Sequence, residues 1–254
     1  MRAFDILEEF KGLIIDVHAH IGCDQRFLFR LSDEEIVKVY DKYGIAKGFV
    51  SSISSLTSDY KKGNLEVLEA VRKYPNRIIG LVAANPYYGE EAIREVEKYV
   101  REYGFRGVKF HPFYFKIEPS EPLSLKLLEK VSRLRIPLML HSYDGGVEAV
   151  KVANNLPNLT IIAYHCGGVR WLEALRRFKK YDNIYVEISS SIADRGFIKK
   201  AVEVLGSERI FFGTDVPYIE PAVCFGKVLE ADLPRRDYEN IFYKNAEEVL
   251  GVKP

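Results

Sequence analysis

Short apolar runs rich in Val, Ile and Phe recur along the chain, with helix-like segments between them. They predict eight strands, over residues 13–20, 47–53, 78–84, 107–111, 136–141, 159–165, 184–189 and 210–214. The strand starts are spaced by about 23 to 34 residues, the length of a strand–loop–helix–loop unit. Because each crossover is long enough to return the chain beside its previous strand, the pattern predicts a parallel sheet.

The number of repeating units indicates a closed fold. Eight units in 254 residues match a single (β/α)8 TIM barrel in both number and length. No linker-like segment interrupts the series, so we predict one α/β domain over residues 1–254. The helices carry ordinary end signals: Ser32 and Glu35 form a capping box, and Gly104, Gly206 and Gly251 follow amphipathic stretches where left-handed C-caps would lie.

A doubly wound open sheet would show the same alternation of strands and helices. That fold usually carries a glycine-rich phosphate loop after its first strand. Here the first strand ends in Asp16-Val17-His18-Ala19-His20-Ile21-Gly22, which lacks such a loop and has a metal-type ending. The sequence therefore favours the barrel.

The charge balance and the cysteines limit the partners and the compartment. The 37 basic and 36 acidic residues give a net charge of +1, so neither nucleic acid nor an anionic membrane is an expected partner. We see no apolar run near the ~20 residues of a membrane span, and no signal-peptide pattern at the start. The odd number of widely spaced cysteines (Cys23, Cys166 and Cys224) favours free thiols in a cytoplasmic protein.

All five histidines lie at predicted carboxyl ends of strands: His18, His20, His111, His141 and His165. In a barrel those ends form the face that carries the active site. Each histidine alone could be a core or rim residue, and Asp215 alone could be a helix cap or a turn residue. Several imidazoles and a carboxylate that converge on one mouth without a balancing charge would be costly. A divalent cation removes that cost, and these ligand types suit zinc or a similar metal.

The order of these residues resembles the amidohydrolase superfamily of metal-dependent barrels. Finer motifs resemble its amidohydrolase-related branch, which includes aminocarboxymuconate semialdehyde decarboxylase and resorcylate decarboxylases. The motifs are Gly107-Val108-Lys109-Phe110-His111-Pro112, His165-Cys166-Gly167-Gly168, Phe212-Gly213-Thr214-Asp215-Val216-Pro217, and Asn245-Ala246 at the start of the last helix.

The resemblance implies one metal ion, with zinc as the expected ion, and a water that completes its coordination. The implied ligands are His18, His20, His141 and Asp215. His165 would stand beside the water as general base or orienting partner, so His165 and Asp215 are the expected catalytic residues. A metal lowers the pKa of its bound water to about 7, and a neutral imidazole can then accept the proton.

Lys109 and His111 alternate on the fourth strand, so both are expected to point into the barrel. Binuclear superfamily members bridge two metals with a carbamylated lysine at this strand, and Lys109 could serve so. The other interpretation is an interior lysine that pairs with Asp16 or Glu187, both predicted to point inward.

Short loops predict a fairly open pocket whose substrate contacts come from the loops themselves. The candidates are Tyr143 and Asp144 after His141, Arg170, Tyr114 and Tyr218, with Lys109 and His111 on their strand. A guanidinium fork suits a substrate carboxylate, which makes Arg170 the favoured anion contact, although it could equally be exposed on the following helix.

Three enzymatic functions remain open, the first two on a small-molecule substrate, and a non-enzymatic binding barrel ranks below all three. Metal-dependent hydrolysis of an amide, lactone or related carbonyl bond comes first, because an open pocket admits water. Non-oxidative decarboxylation comes second; it uses the same ligands but favours a closed site, and a homodimer could close the mouth. A TatD-type deoxyribonuclease comes third, because that family carries a glutamate segment on a middle strand and this chain lacks it.

Overall fold

The computed structural model describes residues 3–190 and 192–254. Within these residues, ten β-strands follow the chain, each near one of the predicted apolar runs except the second. The strands are β1 (Ile14–Asp24), β2 (Phe29–Leu31), β3 (Ile45–Ser52), β4 (Ile78–Gly80), β5 (Val82–Ala83), β6 (Val108–Phe110), β7 (Leu138–His141), β8 (Ile161–Tyr164), β9 (Ile184–Glu187) and β10 (Ile210–Phe211).

Helices separate the strands and pack around them. The α-helices are α1 (Ala3–Phe10), α2 (Asp33–Tyr43), α3 (Ile53–Thr57), α4 (Tyr60–Lys73), α5 (Glu90–Tyr103), α6 (Pro112–Phe115), α7 (Pro122–Arg133), α8 (Val147–Asn155), α9 (Trp171–Phe178), α10 (Phe197–Leu205), α11 (Pro221–Glu230), α12 (Arg235–Glu239) and α13 (Asn245–Leu250). Short 3₁₀ turns cover Pro86–Tyr88, His165–Arg170 and Ser207–Arg209, and a π-helical turn covers Asn240–Lys244.

The strands form two hydrogen-bonded stretches, which meet at two seams. One stretch has the order β2-β1-β3-β4 and the other runs in sequence order from β5 to β10. At the first seam only Leu81 separates β4 from β5; its N–H donates to the Val50 carbonyl (2.9 Å), whereas the next N–H donates to the Gly107 carbonyl (3.0 Å). β4 and β5 are therefore one continuous strand, which pairs with β3 before Leu81 and with β6 after it.

At the second seam, the chain around β10 pairs with β1. The N–H of Val17 donates to the Phe212 carbonyl (3.0 Å), and the N–H of Asp215 donates to the His18 carbonyl (2.7 Å). The N–H of His20 then donates to the carbonyl of residue 216 (2.8 Å). These bonds close the parallel ring, so the predicted (β/α)8 barrel is confirmed. β4 and β5 together form one of its eight strands, and β2 lies outside the ring.

A β-hairpin at the barrel mouth differs from the sequence prediction, which ended the first strand at residue 20. In the structure β1 continues to Asp24 and pairs with the antiparallel β2. The turn forms because Asp24 Oδ1 accepts the backbone N–H of Arg26 at 2.9 Å, a local contact that strand periodicity does not report. The hairpin brings Phe27 and Phe29 to the wall of the cavity, so two aromatic residues that were not among the loop candidates line it.

Apolar side chains fill the barrel beneath the mouth. The interior cluster comprises Ile15, Val17, Phe49, Leu81, Met139, Ile162, Tyr164 and Phe211, each at most 1% exposed. The Ser32–Glu35 capping box is present, and Gly104 and Gly251 take left-handed conformations at helix ends. Gly206 differs: its φ is 84°, but its ψ of 148° is extended because the chain turns directly into the 3₁₀ segment after it.

The thiols and the lengths of the helices bear on the cysteine and membrane predictions. All three cysteines are free thiols; Cys23 is exposed, whereas Cys166 and Cys224 are buried. No helix in the described part of the chain has both the length and the apolar character needed to cross a membrane.

Candidate active site

A cavity of about 630 Å³ opens at the carboxyl ends of the barrel strands. Polar side chains form its floor, and aromatic side chains form most of its walls. The floor residues are His18, His20, Lys109, His111, His141, His165 and Asp215; the aromatic wall residues are Phe27, Phe29, Tyr114, Tyr143 and Tyr218. The strand ends thus bring all five histidines to one cavity.

His18, His20 and Asp215 form the tightest polar group on this floor. His18 Nε2 lies 3.1 Å from His20 Nε2, because alternate residues of β1 point to one face. Asp215 Oδ1 lies 3.3 Å from each of these nitrogens. The three ligand-type atoms therefore face a common point.

Neighbouring side chains orient the two imidazoles. The Nδ1–H of His18 donates to Glu187 Oε2 at 3.0 Å, which leaves the lone pair of His18 on Nε2, toward the cavity. His20 Nδ1 lies 2.9 Å from Ser51 Oγ on β3. Glu187, at the end of β9, was predicted to point inward, but its contact with His18 was not predicted.

Asp16 fixes the backbone on both sides of the β1–β10 seam. Its Oδ1 accepts the N–H groups of His18 (2.9 Å) and Thr214 (3.0 Å), and its Oδ2 accepts the Thr214 hydroxyl (2.6 Å). Asp215 follows with a φ of 58°, a conformation that non-glycine residues rarely adopt. The buried Asp16 carboxyl thus holds the two strand ends that carry His18 and Asp215.

Lys109 pairs with neither Asp16 nor Glu187, the two carboxylates considered for an interior lysine. Its ammonium donates to His18 Nε2 at 2.9 Å and lies 4.0 Å from the ring centre of Tyr164. Asp16 and Glu187 are engaged instead by Thr214 and His18, so the pairing of Lys109 with either carboxylate was wrong. Lys109 points into the barrel, as alternation on its strand requires, and its ammonium lies beside the group formed by His18, His20 and Asp215.

His165 lies in a strained segment at the end of β8. Residues His165, Cys166, Gly167 and Gly168 have φ values of 63°, 49°, 84° and 67° in succession. Side chains at the two glycines would overlap Ala174 and the ring of Tyr143, which explains why the segment needs glycine there. The Nδ1–H of His165 donates to the Ser189 carbonyl at 2.6 Å, so its lone pair is on Nε2.

His141 and His111 stack face to face, with ring centres 3.8 Å apart and planes 16° from parallel. The His141 ring centre is 4.8 Å from that of His165 and 5.4 Å from that of Tyr143. His141 thus lines the cavity beside the ligand group, but it is not one of the three atoms that face the common point. Within the described residues, His111 Nδ1 is buried without a hydrogen-bond partner.

The loop residues divide into those at the cavity and those away from it. Tyr114, Tyr143 and Tyr218 line the wall, as the sequence suggested. Arg170 is not among the lining residues; it is half exposed and its Nε donates to Glu173 Oε1 at 3.0 Å. Asp144 is also away from the cavity and accepts the N–H groups of Gly146 (2.9 Å) and Glu148 (2.7 Å) at the start of α8.

Arg26 was missed by the sequence analysis. Its guanidinium forms two hydrogen bonds with Asp24 (3.2 and 2.8 Å) and lies 4.3 Å from the ring centre of Tyr114. Asp24 also accepts the hydroxyl of Tyr218 at 2.6 Å. This set ties the hairpin to the aromatic wall, and the Asp-x-Arg spacing that begins at the last residue of β1 was the only sequence signal for it.

Burial sets the protonation of the floor. It lowers the pKa of His18 and of His141 well below the usual range, and it lowers the pKa of His165 to about 4. Burial likewise lowers the pKa of Lys109 to about 7. For Asp215 burial acts the other way, but the hydrogen bond from His20 and nearby positive charge hold its pKa below the usual value. The floor therefore presents neutral imidazoles and an ionised carboxylate near neutral pH.

These properties fit a divalent cation. Metal ligands must be deprotonated, as His18 and Asp215 are. Ligands about 2.1 Å from one tetrahedral ion lie about 3.4 Å from each other, close to the separations on this floor. Glu187 supplies the carboxylate that commonly holds the second nitrogen of a ligating imidazole.

Comparison with known proteins identifies the family. Residues 15–252 match the family described as Amidohydrolase. The chain belongs to this family. This amidohydrolase chain is therefore an enzyme of the superfamily that its histidine order resembles. Among curated proteins, none matches its sequence.

Solved structures share the fold of the amidohydrolase chain at low sequence identity. 2,6-Dihydroxybenzoate decarboxylase from Rhizobium is 16% identical with a TM-score of 0.77, covering 94% of this chain and 98% of its own. 5-Carboxyvanillate decarboxylase from Novosphingobium aromaticivorans was solved with manganese and 4-hydroxy-3-methoxy-5-nitrobenzoic acid. It is 18% identical with a TM-score of 0.75, and the match covers 94% of this chain and 96% of its own. A third structure, from Acinetobacter baumannii with citric acid bound, is named "probable 2-pyrone-4,6-dicarboxylic acid hydrolase". It is 16% identical with a TM-score of 0.73, and the match covers 94% of this chain and 99% of its own.

Proposed function

We propose that this amidohydrolase is a metal-dependent, non-oxidative decarboxylase of a small, planar, unsaturated carboxylic acid. The observation that carries the proposal is the cavity itself, in which a ligand-type floor lies beneath an aromatic wall. This reverses the order in which the sequence ranked hydrolysis and decarboxylation, because the hairpin adds two aromatic residues, Phe27 and Phe29, to the cavity wall.

The wall favours a flat substrate. The ring of Tyr218 makes edge contacts with Phe27, Phe29 and His20, with centre distances of 5.9, 5.0 and 5.7 Å. Aromatic pairs of this kind contribute about 0.5–1.5 kcal/mol beyond area burial, and an aromatic substrate could extend the cluster. Apolar walls also exclude water, which strengthens electrostatic interactions on the floor and protects a carbanion.

His18, His20 and Asp215 would hold the metal, with His141 as a proposed fourth ligand. A divalent ion bound there would supply positive charge that orients the substrate and stabilises negative charge as it develops. We expect zinc from the ligand types, and the manganese in the 5-carboxyvanillate decarboxylase structure makes manganese the second ion to test. Lys109 and His111 line the same floor and are proposed substrate contacts.

In the proposed reaction the bond between the substrate carbon and its carboxylate breaks, CO₂ leaves, and the electron pair remains on the carbon. A proton must then reach that carbon. His165 is the proposed carrier, because its Nδ1–H is held by Ser189 and its Nε2 is free to take a proton and pass it on. The proton comes from solvent or from a substrate hydroxyl, so the overall reaction consumes one proton and releases CO₂.

Hydrolysis of a small carbonyl compound is the second candidate. It is favoured by the lowered pKa of His165, which keeps the imidazole neutral and able to accept a proton from water. The family match favours both of these chemistries over a TatD-type deoxyribonuclease.

The deciding experiment uses the purified chain loaded separately with Zn²⁺ and Mn²⁺. It is incubated in D₂O with 2,6-dihydroxybenzoate and 5-carboxyvanillate, and in H₂¹⁸O with 2-pyrone-4,6-dicarboxylate. We expect CO₂ release with one deuterium at the vacated carbon. Incorporation of ¹⁸O into an opened lactone, without CO₂ release from the benzoates, would reject decarboxylation in favour of hydrolysis.

A further inference from the structure

Lys227 is a buried lysine that the proposed chemistry does not use. It lies on α11 and is only 7% exposed, on the helix face that also buries Cys224, Phe225 and Val228. A buried amine needs hydrogen-bond partners, because its desolvation is costly. Lys227 finds them in the backbone, where its Nζ donates to the carbonyls of Ile188 (2.7 Å) and Ser190 (3.0 Å).

These two carbonyls lie on either side of Ser189, just after the end of β9. Successive peptide groups of an extended chain point to opposite sides. With the flanking carbonyls held toward α11, the Ser189 carbonyl faces the other way, where it accepts the Nδ1–H of His165 at 2.6 Å. The Ser189 side chain also bonds Glu187 at 2.9 Å and lies 3.1 Å from His18 Nδ1.

We propose that Lys227 is a positioning residue, which holds the carbonyls on both sides of Ser189 and thereby fixes His165 with its proton on Nδ1. The position of the proton matters because only this tautomer leaves Nε2 of His165 free for proton transfer in the cavity. The catalytic consequence depends on the function proposed above, whereas the effect on the tautomer does not.

The test compares Lys227→Met with the unmodified protein. Methionine has similar length but cannot donate to the carbonyls, so the Ser189 carbonyl loses its restraint. Lys200→Met is the matched control, since Lys200 is half exposed on α10 and pairs only with Glu203 among the described residues. In all three proteins the Zn²⁺ content is measured first and is expected to be equal.

The direct readout is the tautomer of His165. Long-range ¹⁵N–¹H correlation spectra of the histidine-labelled, zinc-loaded protein report which ring nitrogen is protonated, and His165→Asn assigns the signal. We expect Nδ1–H in the unmodified protein and in Lys200→Met, and a mixture with Nε2–H in Lys227→Met. An unchanged tautomer in Lys227→Met would overturn the proposal, whatever reaction the enzyme catalyses.

The kinetic readout separates positioning from general loss of structure. With a substrate in hand, kcat of Lys227→Met should fall about 10–100-fold, the usual effect of removing a residue that orients a site group, while KM changes less than about threefold. Equal losses in Lys200→Met would contradict this. If Lys227→Met does not fold, Lys227→Gln, which keeps a shorter donor, should shift the tautomer in the same direction, and an unshifted tautomer would again overturn the proposal.

Discussion

Glu187 and His18 are 169 residues apart in the chain, yet their side chains meet through one hydrogen bond of 3.0 Å inside the barrel. Because Glu187 accepts the Nδ1–H, His18 must present its lone pair to the cavity. Glu187 thereby sets the tautomer of His18, and it also accepts the backbone N–H of His165 at 3.3 Å. One carboxylate thus connects the proposed metal ligand with the proposed proton carrier.

Glu187→Gln should weaken metal binding by about 10–100-fold, because an amide is a poorer acceptor for the His18 Nδ1–H than a carboxylate. Titration of metal-free protein with Zn²⁺ in a calorimeter measures the affinity. Glu203→Gln is the control, since Glu203 is half exposed on α10 and pairs with Lys200. Equal Zn²⁺ affinity in both variants would show that Glu187 does not support the site.

His18→Ala and His165→Asn should separate a ligand from a proton carrier. His18→Ala removes one of the three atoms that face the common point, so the purified protein should lose its metal. His165→Asn should keep the metal and lose activity by about 10²–10⁴-fold, the usual contribution of a positioned acid or base. Elemental analysis and steady-state rates check the pair. A metal-free His165→Asn protein would make His165 a ligand.

The fold and the placement of the histidines could be predicted from sequence because both follow from local regularities. The strand period fixes the number of barrel units, and alternation on β1 puts His18 and His20 on one face. The partners of these residues could not be predicted in the same way. Lys109 ends on His18 rather than on a carboxylate, which depends on how far side chains reach across the barrel.

Other features depend on contacts that no spacing records. The hairpin forms through a turn at Asp24, and it adds Phe27 and Phe29 to the cavity wall, which loop length alone does not predict. Arg170 has the right chemistry for an anion, but Glu173 one turn later on the same surface takes its guanidinium. Local competition of this kind decides whether a charged residue is free for a substrate.

Asp24→Asn should lower the Tm at neutral pH, and this decrease in Tm should disappear in acid. Burial alone would raise the pKa of Asp24, but hydrogen bonds from Arg26 and Tyr218 lower it from 3.8 to about 2. A carboxyl with a depressed pKa in the folded state stabilises the protein above its unfolded pKa, and this contribution disappears as the pH falls through the folded value. The difference in Tm from the unmodified protein should therefore be largest above about pH 5 and shrink toward pH 2.

Thermal scans of Asp24→Asn between neutral and acid pH check this prediction. Arg26→Gln removes the other half of the pair and should show the same pH dependence, and the double variant should cost less than the sum of the two single changes. A Tm difference that stays constant down to about pH 2 would mean that the Asp24 charge does not stabilise the hairpin.

Gly167→Ala should destabilise the fold and disturb His165, which lies two residues before it. Gly167 has a φ of 84°, and an added Cβ would overlap the side chain of Ala174 on α9. Forcing a non-glycine residue into such a conformation costs about 1–3 kcal/mol, and the overlap adds to that cost. Gly226→Ala is the matched control, because Gly226 lies inside α11 with open space around it. Alanine there should raise the free energy of unfolding by about 0.5–1 kcal/mol. Urea unfolding of both variants measures the two values, and a neutral Gly167→Ala would mean that the backbone after His165 can relax without glycine.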